Sequence, residues 1–424
     1  MFKGLIPYTV PEMESQTIYS ILNTFIEGDI KEGKYVKRFE KHFADYVGTK
    51  YAISTASGRS ALYHAYSFFM EQGQKVILPS YTCIPAIDAA RWSGAAPHFV
   101  DIELNTYNPR FVSSITKIKG IGAISLSYLY GLIGDLNPFL DYAKDANIPV
   151  IEDSAIALGG SYKGRKAGSI GDAGIFSLQE SKIITSWRGG VITTNNKELY
   201  EYMNSLRENL EFPSTPKLMF NLLFSYKRSR LSNPRLYYST MYLLKRIMTS
   251  KRLKPLLANI MGFNPTESID GVSPDLMPKT DKYNITNLQS RVGLKGLDKI
   301  DSITKKRRRL ARLLSEELDD LGVIVPQEDK GIIHAYGRFP VRINGHNKFQ
   351  LYRYFLKNGI ETSLNYPYIT PNTKFMKSLD SGDYPNAEKA SRETILLPFH
   401  TFLKEKDIFI MVDSIKKLLK SDMV

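Results

Sequence analysis

Apolar positions recur along this chain in two rhythms, one helical and one extended. From residue 14 a helical pattern runs to a break at Gly28 to Gly33. A second, YVKRFEKHFADYVG, sets Val36, Phe39, Phe43 and Tyr46 on one face and stops at Gly48. The segment YAISTASGRSALYHAYSFF then predicts a short strand, a glycine turn and a helix starting near Arg59. The apolar runs KVILPSYT, AAPHFVDIE, GIGAISLSYLYG, IPVIEDSA, AGIFSL and GGVITTN each suit a buried strand, and a helical stretch, NPFLDYAKDAN, precedes IPVIEDSA. Short buried strands alternating with helices predict an α/β fold, a mostly parallel central sheet of the seven-stranded type with helices on both faces. The close spacing of the last two strands predicts one antiparallel member. Residues 296–322 predict a long helix with Leu310, Leu313, Leu314 and Leu318 inward. It leads into a smaller α+β region: strand HAYGRFPVRI, helix KFQLYRYFLKNG, strand ETSLNYP and a final helix DIFIMVDSIKKLL. The expected division is a large domain over 1–295, including an N-terminal arm, and a small C-terminal domain over 296–424.

Composition narrows the class. With 424 residues, 43% of them apolar, the chain can bury a sizeable core. Its single cysteine, Cys83, excludes an intrachain disulfide and a four-cysteine zinc site, and fits a reducing compartment. No metal site is expected. The opening MFKGLIPYTVPEMESQ lacks the apolar core of a secretory signal, and no run approaches the roughly 20 apolar residues of a membrane span. A cytoplasmic location is therefore expected.

The formal net charge of +14 is concentrated. No acidic residue lies between Glu211 and Glu267, while ten basic ones do: Lys217, Lys227, Arg228, Arg230, Arg235, Lys245, Arg246, Lys251, Arg252 and Lys254. Tyr226, Tyr237, Tyr238 and Tyr242 are interleaved with them, but no nucleic-acid motif accompanies them and no nucleic-acid partner is expected. Tyr237, Met241, Leu244 and Met248 recur at helical spacing. Two readings stand: a helical insertion over 212–275 with solvated charges, or a surface over 217–263 that docks on an anionic membrane, its inner face, from the cytoplasm.

Three local features carry chemistry. Ser57-Gly58-Arg59-Ser60 joins a strand to a helix, so it is either an anion site at a helix start or simply a tight turn. Asp153 ends the strand IPVIED, where ligands of open α/β sheets bind; it suits a protonated ring nitrogen such as that of pyridoxal phosphate, or a helix cap. Lys182 follows the strand AGIFSL and precedes Gly189-Gly190. It is a nucleophilic amine if desolvated, or a solvated surface residue.

In order and spacing, VIEDSAIALGGSYKGRKAGSIGDAGIFSLQESK resembles the cofactor segment of the DegT/DnrJ/StrS sugar aminotransferases, pyridoxal-phosphate enzymes of the aspartate-aminotransferase fold type. The likeness extends from Ile6 to the C-terminal helix. It includes GTKYAISTASGRSAL, KVILPSYTCIPAIDAARWSGAAPHFVDIELNTYN, SLSYLYG, KYNITNLQSRVGLKGLD and GDYPNAEKASRETILLPFH; residues 212–275 have no clear counterpart. It implies that Lys182 forms the Schiff base and moves protons, that Asp153 holds the pyridine nitrogen, and that Ser177 and the Gly58-Arg59 backbone bind phosphate. It further implies that Asn284 reaches the phosphate of a neighbouring subunit's cofactor, within a homodimer with shared active sites.

Three positions depart from the family pattern. Ile156 stands where Gln or His is usual beside the ring. Cys83 stands at the aromatic stacking position, with Tyr81 as a substitute. Arg59 replaces a small hydroxyl residue. The implied reaction moves an amino group, from glutamate, to a nucleotide-linked keto sugar for a surface polysaccharide or related glycan. A family branch with His at the lysine position deoxygenates sugars, and Lys182 argues against it. The competing class is a non-catalytic regulatory or assembly protein, which Ile156 favours.

Overall fold

The computed structural model describes residues 5–13, 17–231, 276–364, 366, 369 and 382–421. Two amphipathic helices, α1 (Thr17–Glu27) and α2 (Lys34–Val47), precede the central sheet. Its strands are β1 (Tyr51–Thr55), β2 (Lys75–Pro79), β3 (Ala96–Val100), β4 (Ile121–Ser127) and β5 (Val150–Asp153). A small hairpin of β6 (Ser161–Tyr162) and β7 (Arg165–Lys166) intervenes before β8 (Ala173–Ser177) and β9 (Gly190–Thr194) complete the sheet. The spatial order is β1-β9-β8-β5-β4-β2-β3, seven strands in all. As the spacing of AGIFSL and GGVITTN predicts, β9 runs antiparallel to both β8 and β1, and every other pair is parallel.

Strand alternation sorts side chains between two faces. Ile53, Val76, Leu78, Ile151, Ile175 and Ile192 join Ala61 and Leu62 of α3 (Gly58–Phe69) and Ala86 and Ala90 of α4 (Ile84–Trp92). Shifted by one residue, Ile77, Ile124 and Val150 meet Phe139 and Ala143 of α5 (Asn137–Asp145). Ala52, Phe176 and Val191 meet Phe39 and Phe43 of α2. The Phe43 ring stands edge-on to Phe176 at 5.0 Å between centroids, so truncating it removes about 3–5 kcal/mol of packing. Outside the sheet, α6 (Lys197–Arg207) is capped by Asn196, whose side chain accepts the Leu199 N–H.

Beyond α6, α7 (Thr215–Leu231) turns Leu218 and Leu222 into a satellite core with Met13, Ile21, Leu288 and Val292. The remainder of the basic stretch, residues 232–275 with its Tyr237-to-Met248 pattern, lies outside the described residues. Among the described residues, no helix is long and apolar enough to cross a membrane.

The helix expected over 296–322 is present over Ile300–Leu318, and a separate helix precedes it. The preceding helix is α8 (Asn287–Leu297), started by a Thr286–Gln289 capping box; the expected one is α9 (Ile300–Leu318). Leu310, Leu314 and Leu318 are buried as expected, and Leu313 is half-buried. In the C-terminal region come β10 (Val323–Ile324), β11 (Ile332–Ile333), β12 (Phe339–Ile343), α10 (Lys348–Lys357), α11 (Pro385–Glu393), β13 (Thr394–Leu397) and α12 (Glu405–Ser421). A second sheet has the order β10-β12-β13.

Two strand expectations are corrected. HAYGRFPVRI is a strand only over Phe339–Ile343, because His334 to Arg338 leave the ladder to bond the central domain: the Ala335 N–H donates to the Gly131 carbonyl, and that of Arg338 to Tyr130. Among the described residues of ETSLNYP, only Ser363 makes a bridge, to Leu396, while Lys348 Nζ bonds the Tyr366 carbonyl at 3.0 Å. At the other end of the chain, Ile6 pairs with Ile360, so the N-terminal segment crosses to the C-terminal region.

Candidate active site

Because β1, β2, β4, β5 and β8 share one direction, their carboxyl ends gather on one edge of the sheet. Crevices at such an edge are where open α/β sheets bind ligands. Thr55 and Ser177 flank Gly190 in register, and Asp153 pairs with Ile175 next door.

The start of α3 is pressed against this edge. A Cβ on Gly58 would lie 2.9 Å from the Ser177 Cβ, and one on Gly190 would lie 2.4 Å from the Ser57 carbonyl carbon. Only glycine allows the helix start and the two strand ends to approach so closely. Ser57 caps α3 by accepting the Ser60 N–H at 3.1 Å, leaving the Gly58 and Arg59 N–H groups as the outward-facing donors of the first turn. The sequence motif therefore has the geometry of an anion cradle, with the Ser177 hydroxyl beside it.

Asp153 is buried at the end of β5 and accepts one hydrogen bond, from the Ala155 N–H at 3.2 Å. No helix follows it, so the capping alternative fails; the bond is an Asx turn. Burial raises its pKa, while that N–H and the charge of Lys182 act in the opposite direction. Glu152, one residue earlier and on the other face, is different. Its carboxylate accepts the Tyr128 hydroxyl at 2.8 Å and the N–H groups of Gly168, Ile170 and Gly171 at 2.8, 2.6 and 2.8 Å.

Lys182 lies in the turn after β8, its N–H bonded to the Gln179 carbonyl. Burial is the largest influence on its amine and lowers its pKa; Arg338 lowers it further, while Cys83 and Asp153 pull upward. A lysine so placed keeps more of its amine neutral than a solvated one. By accessible surface Lys182 is half-buried. Cys83, at the N-cap of α4, has its thiol pushed up to about 11 by burial first and the Asp153 charge second. Lys182, Asp153 and Cys83 thus form one electrostatic group.

The other expected residues are more dispersed. Tyr81 is fully buried, and its hydroxyl meets that of Tyr130 at 3.1 Å. Its ring belongs to a cluster with Tyr107 and Tyr366, at 6.2 and 5.5 Å, rather than to the lysine group. Ile156 is half-buried against the C-terminal region: a Cβ on Gly337 would come within 2.3 Å of its Cγ1. The Arg59 side chain is engaged by Asp281 and Asp88. Asn284 is not brought to Lys182. Its amide nitrogen donates to the carbonyls of Arg207 and Leu210, both at 3.0 Å.

Residues that sequence reasoning missed complete the surroundings. Arg338 is 6% exposed and donates to the Gly337 and Ser181 carbonyls at 2.8 and 2.6 Å, with no carboxylate partner among the described residues. Tyr366 and Tyr130 both adopt left-handed backbone, φ 53° and 63°. Nothing in the local pattern distinguishes these residues, because they come from segments far apart in sequence.

The donor set fits pyridoxal phosphate: an under-bonded buried carboxylate, a desolvated lysine, and an anion cradle that a glycine Cβ would fill. Comparison with known proteins agrees. The DegT/DnrJ/EryC1/StrS aminotransferase family matches residues 11–211 and 275–416, and its gap falls on the basic insertion. The chain is 29% identical to the GDP-perosamine synthase of Caulobacter vibrioides, covering 91% of both chains. It is 28% identical to the dTDP-3-amino-3,6-dideoxy-alpha-D-galactopyranose transaminase of Aneurinibacillus thermoaerophilus, covering 91% of this chain and 90% of that one. Its fold matches that of Helicobacter pylori PseC, an aminotransferase involved in pseudoaminic acid biosynthesis, with a TM-score of 0.74 at 20% identity over 99% of this chain and 100% of the other.

Proposed function

The chain belongs to the DegT/DnrJ/EryC1/StrS aminotransferase family, and from that premise we propose that it transfers the amino group of glutamate to the ketone of a nucleotide-linked sugar destined for a surface polysaccharide. The family's enzymes use pyridoxal phosphate, and membership sets aside the non-catalytic reading. The named relatives, a GDP-perosamine synthase and a dTDP-aminosugar transaminase, support the sugar and its nucleotide. The observation that carries the site assignment is the grouping of Lys182 with Asp153 at the strand carboxyl edge, beside the Gly58–Ser177 contact.

In this reading Lys182 holds the cofactor and shuttles protons at Nζ. Asp153 keeps the pyridine nitrogen protonated. Ser177 and the Gly58 and Arg59 N–H groups take the phosphate, and Cys83 and Ile156 wall the ring, with Tyr81 behind them. Bound pyridoxal phosphate supplies an electron sink through which an amino group leaves one carbon and joins another. The deciding experiment exposes purified enzyme to glutamate, then to a panel of nucleotide-linked keto sugars, with mass spectrometry of the products. An aminated sugar is expected; glutamate consumption with no sugar accepted would refute the substrate class.

The enzyme works as a homodimer in which Asn284 serves the partner's cofactor, dividing into domains 1–295 and 296–424. Its sedimentation as a fully active monomer would refute the shared site. The cytoplasmic location and the docking of 217–263 on an anionic membrane belong to the same proposal. Of that stretch, the described helix exposes Phe220, Lys217, Lys227 and Arg230. Sedimentation with anionic vesicles at low salt is the test; no binding refutes the docking.

A further inference from the structure

The cradle at the start of α3 is already faced by an anion supplied by the chain. The Asp281 side chain is fully buried, and four donors converge on its two oxygens. Ser57 Oγ and Arg188 Nη2 reach Oδ1, both at 2.6 Å. Arg59 Nε and Nη2 reach Oδ2 at 2.8 and 2.5 Å. Burial alone would raise this carboxyl's pKa, yet the Arg59 and Arg188 guanidiniums hold it below the usual carboxylate range, so it stays charged. Ser57 is also the N-cap of α3, which puts this carboxylate beside the positive end of the helix.

Both arginines have partners besides Asp281. The Arg59 guanidinium lies over Trp92 at 4.9 Å and reaches Asp88 at 3.2 Å. Arg188 also donates to Thr280 Oγ1 at 3.1 Å, and its buried Nε has no hydrogen-bond partner among the described residues. Arg188 immediately precedes Gly189-Gly190, and Gly190 pairs with both Thr55 and Ser177. The guanidinium pair therefore borders the same strand ends that form the phosphate cradle. Two guanidiniums, a serine hydroxyl and a helix start are what a phosphate group requires, and here a carboxylate takes part of that bonding.

We propose that Asp281 is a built-in competitor of the cofactor's phosphate, and that Arg59 and Arg188 are phosphate-positioning residues whose exchange between Asp281 and phosphate sets how tightly the cofactor is held. The proposal rests on the reading that the phosphate sits at Gly58 and Ser177. It gives the departure at Arg59 a purpose: a small hydroxyl there could not hold Asp281.

The test uses the full chain, stripped of cofactor and titrated with pyridoxal phosphate or with pyridoxal, which lacks the phosphate, by the visible absorption of the bound form. Asp281→Asn is expected to tighten pyridoxal phosphate about tenfold, and to make inorganic phosphate a stronger competitor, while pyridoxal is unchanged. Arg188→Gln is expected to loosen pyridoxal phosphate about tenfold without affecting pyridoxal, and serves on its own should Asp281→Asn fold poorly by circular dichroism. An Asp281→Asn affinity that is unchanged or weaker, or a shift shared equally by pyridoxal, would overturn the proposal, as would an Arg188→Gln variant of wild-type affinity. Failure of the site reading looks different: borohydride would then trap no cofactor on Lys182 in the unaltered chain.

Discussion

Adjacent residues of β5 treat a buried carboxylate in opposite ways. Glu152, on the face toward α5, is saturated by one hydroxyl and three backbone N–H groups, and so ties Tyr128 to the Gly168–Gly171 loop. Asp153, at the strand's carboxyl end, keeps a single 3.2 Å bond and faces Lys182 and Cys83. Burial raises the pKa of both, yet only Glu152 has a full set of donors to offset it. A buried carboxylate left under-bonded costs stability unless something else completes it. Under the proposed function, the contrast separates a carboxylate that builds the fold from one held in readiness for a ligand. The same distinction applies to the arginines. Arg307 has Glu12 at 3.1 Å, whereas Arg338, beside Lys182, has carbonyls and the Tyr8 ring but no carboxylate among the described residues.

Substitutions can break this comparison, the severest first. Lys182→Ala should abolish both borohydride trapping of the cofactor and all turnover; retained turnover would remove the ligand side of the contrast altogether. Asp153→Asn should cut turnover about 10²-fold or more while thermal unfolding stays near that of the unaltered protein. A near-normal rate would mean that the carboxylate serves only its turn. Glu152→Gln should do the reverse. Its amide would turn a donor toward N–H donors, and the expected loss is about 2–4 kcal/mol of stability, measured by denaturant unfolding, with a much smaller effect on rate in the folded fraction. If Asp153→Asn destabilised as much as Glu152→Gln, the two carboxylates would not differ in kind.

The smallest effect concerns pH. Arg338 helps depress the Lys182 pKa, second among the downward influences after burial. Arg338→Met should therefore raise that pKa, keep the amine protonated to higher pH, and shift the pH profile of cofactor attachment toward alkali. A profile displaced toward acid, or not at all, would show that Arg338 acts only through its bonds to Ser181 and Gly337.

Much of this was legible in one dimension. The continuous apolar runs around Ile77, Ile151 and Ile175 identify strands buried on both faces, and IPVIED followed by AGIFSL and Lys182 orders the site along the chain. Local chemistry sufficed there because strand ends, glycine turns and their neighbours are contiguous in sequence. ETSLNYP misled for the opposite reason. Its alternation suits a strand, but its backbone is claimed by distant partners, Leu396 through Ser363 and Lys348 through the Tyr366 carbonyl.

What the sequence determined by itself was the α/β class, the order of the central elements and the identity of Lys182 and Asp153 as candidates, since each depends on periodicity and on residues close along the chain. Tertiary structure alone decided which charges are paired. It brought Asp281 to Arg59 across 222 positions and Arg338 to the Ser181 carbonyl across 157. Electrostatic balance inside a protein depends on distance and burial in space, and neither follows from separation along the chain.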